Sequence, residues 1–281
     1  GTSTAKVRDS VHLQNESFTM DADRLNYNVK TSVAFLVSPT VIVYKGETSI
    51  YSSNGWYNTA TEQSMLLDRS EIHHVDGKQL TADTIYYDKK KGYGQLLFHL
   101  EMRDTTNKAT LFGHYGEMWE KEKRGYATDS AMLVDWSQPH YTYIHADSLF
   151  TEEVPYFDPV MQLDTTYRQG RAFRHVRAWS KDYQLVCDSL SFNGRDSMAV
   201  LHHEPILWSD NNQISADSIN IYFKDGKIDY LYGVGNAFAA QQENPDMYNQ
   251  LSGKEMYAYV HDNEVQLVDV KGNAETVFFP K

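Results

Sequence analysis

One short phrase recurs along this chain. A small residue, usually followed by Asp, precedes a Leu or Ile and then an aromatic or second apolar residue. It reads Ala22-Asp23-Arg24-Leu25-Asn26-Tyr27, Ala82-Asp83-Thr84-Ile85-Tyr86-Tyr87, Ala146-Asp147-Ser148-Leu149-Phe150, Cys187-Asp188-Ser189-Leu190-Ser191-Phe192 and Ala216-Asp217-Ser218-Ile219-Asn220-Ile221. Degenerate copies begin at Ser52, Gly113 and Gly253, so successive copies lie 29 to 41 residues apart with a common spacing near 30. A period of that size is the mark of stacked repeats rather than of unrelated domains. A unit so short holds only a few strands and cannot bury an apolar face alone, whereas stacked units can.

Inside a repeat the apolar residues alternate at period two, as Ile219, Ile221 and Phe223 do against Ser218 and Asn220. That is strand patterning. Turn chemistry follows at short spacing, in Lys224-Asp225-Gly226-Lys227, Val75-Asp76-Gly77-Lys78, Thr105-Thr106-Asn107-Lys108 and His261-Asp262-Asn263-Glu264. The Glu- and Lys-rich stretch from Glu117 to Lys123 has helical propensity, but its place in the register predicts strand and turn. The expected fold is therefore all-β, a single repeat-built domain over residues 1–281 forming an elongated twisted β-jelly roll or β-solenoid of about 30-residue units. The longest interval contains residues 152–170, read as a loop inserted into one repeat, and a smaller insertion falls at Glu243-Asn244-Pro245-Asp246.

Composition narrows the function. The 281 residues carry 26 Lys+Arg against 38 Asp+Glu, a formal charge of −12, which excludes the phosphate-neutralising surface a nucleic acid needs. The most apolar stretch, Val33 to Tyr44, is broken by Ser38-Pro39-Thr40 and is too short for about 30 Å of hydrocarbon, so no membrane span is expected. Cys187 is the single cysteine and can form no intramolecular disulfide. The chain opens on Gly1, which reads as a processed or engineered boundary.

No constellation of catalytic residues stands out. The Asp residues 23, 83, 147, 188 and 217 recur once per repeat, whereas catalytic groups are singular, so they read as structural residues bonding backbone amides at a bulge or strand entry. In the pairs His73-His74 and His202-His203 adjacent side chains point to opposite faces of a strand, so neither pair closes on one metal ion. Cys187 fills the slot that Ala occupies in four sister copies and reads as a small buried filler. Gly233, Gly235 and Gly272 read as bulges or close approaches. No catalytic residue, metal or cofactor is expected. What remains is an inward row formed by Leu25, Tyr27, Ile85, Tyr87, Leu149, Leu190, Phe192, Ile219 and Ile221, which on pattern alone is simply core.

The last 70 residues add a more specific signal. Tyr232-Gly233-Val234-Gly235-Asn236-Ala237-Phe238, then Leu251-Ser252-Gly253-Lys254-Glu255-Met256-Tyr257-Ala258, then Val268-Asp269-Val270-Lys271-Gly272-Asn273-Ala274 resemble the OstA-like family, in which Gly-Asn-Ala follows one strand and Ala-Asp-x-Ile/Leu-x-Tyr recurs. The resemblance runs from about Thr19 to Pro280, is tightest in the last 70 residues and loosest around Val33 to Asp68. It implies a twisted β-jelly roll whose interior holds the acyl chains of lipopolysaccharide, with no enzymatic activity. It further implies a periplasmic location in a Gram-negative bacterium, pairing with other OstA-like domains through edge strands, and a chain able to continue beyond residue 281. The inward row then becomes a candidate lipid-binding surface. The other reading, a polysaccharide-binding or polysaccharide-cleaving β-solenoid, draws on Trp56, Trp119, Trp136, Trp179 and Trp208, which share no single repeat position.

Overall fold

In a computed structural model, residues 3–261 and 264–279 are described, and every regular element among them is a β-strand. No helix among these residues is long and apolar enough to cross a membrane. The chain divides into two compact units, residues 1–133 and 134–281.

The first unit contains β1 (Thr4–Gln14), β2 (Phe18–Asn28), β3 (Val33–Leu36), β4 (Thr40–Tyr44), β5 (Thr48–Ser52), β6 (Asn54–Asn58), β7 (Gln63–His74), β8 (Lys78–Asp88), β9 (Tyr93–Asp104), β10 (Ala109–Trp119) and β11 (Arg124–Asp135, of which residues 124–133 belong here). Pairing from β1 to β10 is an antiparallel meander in chain order. β3 with β4, and β5 with β6, behave as single strands interrupted midway, since β2 pairs with both members of the first couple and β7 with both members of the second.

Each long strand bends at its middle. The bend is a bulge that places two residues of one strand opposite one of its neighbour, as Asp68 and Arg69 stand between the pairs Leu67↔Thr84 and Ser70↔Ala82. The doubled residues are left-handed: Asp9/Ser10, Asp68/Arg69, Phe98/His99 and Asp129/Ser130 all have φ between 48° and 66°. Non-glycine residues resist that conformation by about 1–2 kcal/mol each, so the ladders on both sides must impose it. Where the neighbouring strand carries the full phrase the opposing residue is its Asp, Asp23 for Asp9/Ser10 and Asp83 for Asp68/Arg69, whereas on β10 it is His114 that stands opposite Phe98 and His99. One repeat is thus two bent strands: an outgoing strand that carries Ala-Asp through the corner and a returning strand that carries the left-handed pair. The 30-residue period counts one such round trip. At the broken strand β3–β4, Ser38-Pro39 replaces the left-handed pair, and the Ser38 hydroxyl bonds both Arg24 N and Arg24 O at 3.0 Å.

The second unit repeats the scheme with β12 (Thr142–Asp158), β13 (Leu163–Trp179), β14 (Gln184–Asn193), β15 (Met198–His202), β16 (Ile206–Ser209), β17 (Asn212–Ser215), β18 (Ser218–Lys224), β19 (Lys227–Asn244), β20 (Met247–His261), β21 (Glu264–Lys271) and β22 (Glu275–Val277). Its left-handed pairs are Arg174/His175, His203/Glu204 and Gly235/Asn236. At Gly235 a Cβ would lie 2.2 Å from Asp217 Oδ2, so the close approach expected there is real. Gly272 is also left-handed, whereas Gly233 is not and packs against Ala216.

Two expectations need correction. Residues 152–170 are not a loop, because β12 and β13 pair continuously from Tyr143↔Trp179 to Asp158↔Leu163 and turn only at 159–162. The length of the insertion goes into a longer hairpin, whose backbone groups satisfy one another and need no neighbour. The segment around Pro245 is likewise the tip of the lengthened β19–β20 hairpin. Glu117 to Lys123 is strand through Trp119 and then turn, as the register predicts. Asp262 and Asn263 of the turn expected after His261, and Pro280 and Lys281, lie outside the described residues.

Candidate functional site

The corner explains the motif's spacing. In β8, Leu80 and Ala82 point inward before the bend, Asp83 and Thr84 form its outside, and Ile85 and Tyr87 point inward after it. Inward parity therefore shifts by one, and the phrase small-Asp-x-Leu/Ile-x-aromatic is the record of that shift. The Asp residues are structural, but their partners are mostly side chains of the left-handed residues rather than the backbone amides expected. Asp83 takes His99 Nδ1 at 2.7 Å and Arg69 Nη1 at 3.5 Å, Asp147 takes His175 Nδ1 at 3.2 Å, and Asp217 accepts from Asn236 Nδ2 at 3.0 Å. The adjacent His73 and His74 go to different partners, Glu71 at 2.9 Å and Asp76 at 2.7 Å. Cys187 is buried, and burial with the neighbouring Asp188 charge pushes its thiol up to about 12, as suits the small buried filler expected in that slot.

The nine candidate lipid-binding residues all face inward, and register assembles them into rows within each unit. In the first unit one row reads Leu25, Leu36, Gly55, Leu66, Ile85, Leu96, Gly116 across successive strands. The next reads Tyr27, Ala34, Tyr57, Ser64, Tyr87, Gly94, Met118. Past the corner, Met20, Ile42, Ile50, Ile72, Leu80 and Met102 make the row of the other half-sheet. In the second unit Leu149, Leu190 and Ile219 share one row with Ala172, Leu201, Gly233 and Met256. Phe192 and Ile221 share the next with Ala199, Leu231 and Ala258. Leu25, Ile85, Tyr87, Leu149, Ile219 and Ile221 are buried, Leu190 sits at 9% exposure, and Tyr27 and Phe192 are half-buried. The motif did not reveal Leu36, Leu66 or Leu96. They lie on returning strands without Ala-Asp, and only their alternation in phase with the corner could have exposed them.

The first unit is closed at the strand ends farthest from the corner. Tyr44 and Thr48 end β4 and begin β5 on one half-sheet; Glu62 and Lys89 occupy turns at the end of the other. Across the gap Tyr44 Oη donates to Glu62 Oε2 at 2.8 Å, and Lys89 Nζ donates to Thr48 Oγ1 at 3.2 Å. The same ammonium lies 5.5 Å from the Tyr44 ring centre and 3.7 Å from Glu120, and Phe18 meets Tyr57 edge-on at 5.2 Å. Tyr87 Oη donates to Glu120 Oε1 at 2.7 Å and Tyr27 Oη lies 3.0 Å from Thr59 Oγ1. Burial, reinforced by Glu62 for Tyr57 and by Glu120 for Tyr87, raises both phenols well above their usual range, so they remain O–H donors at neutral pH. These groups form a polar strap over an apolar interior.

On the outer face of the same half-sheet the rings of Tyr86, Tyr93, Trp119 and Tyr126 follow one another at centre distances of 6.3, 5.6 and 6.2 Å. Tyr115 lies beside them, donating to Glu117 and receiving Gln95 Nε2 at 2.9 Å.

A family model described as OstA-like protein matches residues 1–84. No curated protein matches the chain. Among solved structures, a match is the crystal structure of LptH from Pseudomonas aeruginosa, described as the LptA-homologous periplasmic component of the conserved lipopolysaccharide transport device. It is 10% identical, with 72% of this chain and 95% of that chain covered and a TM-score of 0.21. The family match includes Val33 to Asp68, where the motifs are loosest, and stops short of the last 70 residues, where they are tightest. The matched stretch, residues 1–84, holds the full copy of the Ala-Asp phrase at Ala22–Tyr27 and the start of the next at Ala82-Asp83-Thr84, and over it this chain is similar to the OstA-like family.

Proposed function

We propose that this chain is a non-enzymatic carrier of lipopolysaccharide, working in the periplasm of a Gram-negative bacterium and holding the acyl chains of lipid A between its half-sheets. The observation that carries the reading is the OstA-like match over strands whose inward side is lined by predominantly apolar rows. Each buried methylene contributes about 0.8 kcal/mol, so an acyl chain of about a dozen carbons brings roughly 10 kcal/mol before ordering costs. The rows already bury one another, so this gain comes from the lipid's own surface, and the half-sheets must part to admit it. Transfer between molecules would use the outer edges of β1 and β22, since β1 pairs with β2 and β22 with β20 on their inner sides.

A photo-crosslinking residue at Ile219 or Leu190 should capture lipopolysaccharide, while one at Ser218 or Ser189, on the opposite face, should not. Equal labelling of both faces overturns the reading. A second reading, polysaccharide binding, is favoured by the outer ring series from Tyr86 to Tyr126 beside Glu117. Tryptophan fluorescence that responds to soluble glycan and is lost in Trp119→Ala would support it.

A further inference from the structure

The inward row of phenols in the first unit contains one anomaly. Tyr27 and Tyr87 each hand their hydroxyl to a partner, Thr59 and Glu120. Tyr57, between them and only 2% exposed, has no hydrogen-bond partner for its hydroxyl among the described residues. Neither has the Ser64 hydroxyl, wholly buried directly opposite Tyr57 in the β6–β7 pair. A phenylalanine and an alanine would fill these places without desolvating two unpaired hydroxyls, a cost that native interiors rarely carry without a use. Both hydroxyls can donate, both lie on the row beneath the Tyr44–Glu62 and Lys89–Thr48 strap, and apolar Leu66 and Ile85 flank them in the adjacent row.

We propose that Tyr57 and Ser64 are a polar anchor inside the first unit for the carbonyl of an ester- or amide-linked acyl chain, whose hydrocarbon lies along the neighbouring apolar rows. This rests on the lipid-carrier reading and adds to it a ligand chemistry: an acyl group bearing an acceptor at its linkage, in preference to a plain alkyl chain. The strap closes over the anchor when no lipid is held and parts to admit one. On this account the two hydroxyls acquire the acceptors they lack in the closed fold.

The test uses the whole chain and two fluorescent probes of equal length, one a dodecanoyl amide and one a dodecyl chain without carbonyl. Wild type should bind the amide about tenfold more tightly, and Tyr57→Phe and Ser64→Ala should each shrink that preference several-fold while leaving dodecyl binding unchanged. Thermal melting without probe should show Tyr57→Phe at least as stable as wild type, since no bond is lost. Equal binding of both probes by wild type, or an undiminished preference in both variants, overturns the anchor and leaves the carrier reading standing. Failure of wild type to bind either probe overturns both. A drop in the stability of Tyr57→Phe with an unchanged preference also refutes the anchor, because the hydroxyl would then be serving the fold.

Discussion

Ser38→Ala tests how the broken strand turns its corner. Elsewhere a left-handed pair carries the bend, but between β3 and β4 the chain has Ser38-Pro39, and one hydroxyl completes the ladder by accepting from Arg24 N and donating to Arg24 O, both at 3.0 Å. Ser38 is 5% exposed, so water has little access to replace it. Leaving a buried backbone donor and acceptor unpaired costs about 1–3 kcal/mol each; both contacts are only partly buried, so the lower end applies and the sum is about 2 kcal/mol. With a urea dependence of about 2 kcal/mol/M, the midpoint for the first unit should fall by about 1 M with unchanged slope. The assay is urea unfolding at 25 °C followed by circular dichroism and intrinsic fluorescence. Ser53→Ala, at an exposed residue beside the next corner, is the control and should shift stability by less than about 0.5 kcal/mol. A Ser38→Ala midpoint within about 0.2 M of wild type would refute the argument, because the corner would then not depend on that hydroxyl.

Other predictions follow from the strap, the turns and the edge. Lys89→Met removes the ammonium that joins Thr48 to Glu120 and should raise the initial rate of acyl-probe capture several-fold in stopped-flow fluorescence; an unchanged rate would show that the strap does not limit entry. Burial pushes the Asp88 carboxyl up, but Gln63 Nε2 at 2.9 Å, Lys91 N at 3.0 Å and the Lys91 ammonium together hold it below its usual value. A lowered folded value contributes stability above the unfolded pKa of about 3.9 and loses it as pH falls through the folded one. Melting temperatures from pH 7 to 2 should therefore drop more steeply below about pH 4 for wild type than for Asp88→Asn, and parallel curves would contradict this. Val277→Pro should weaken concentration-dependent self-association in sedimentation velocity if β22 pairs with another molecule, whereas association that persists unchanged would place the contact elsewhere.

The all-strand fold, the repeat and the inward direction of the nine apolar residues were legible in the chain, because side-chain parity in a strand is a local property and every copy of the phrase carries it. The filler role of Cys187 and the structural role of the repeated Asp followed from the same recurrence. The bend itself was not legible. Phe98 and Arg174 have no residue-level preference for left-handed backbone, and only the ladders on either side force them there. The rows were half visible, since Leu36, Leu66 and Leu96 sit on strands without the phrase and are placed by cross-strand register alone. The 152–170 segment looked like a loop because its prolines and length imitate one, and pairing across the hairpin decided otherwise. Tyr44, Glu62, Lys89 and Glu120 are scattered over 77 positions of chain and meet only when the two half-sheets face each other. Local propensity determined what each strand is; which hydroxyls find partners, and which do not, was decided by contacts between residues far apart in sequence.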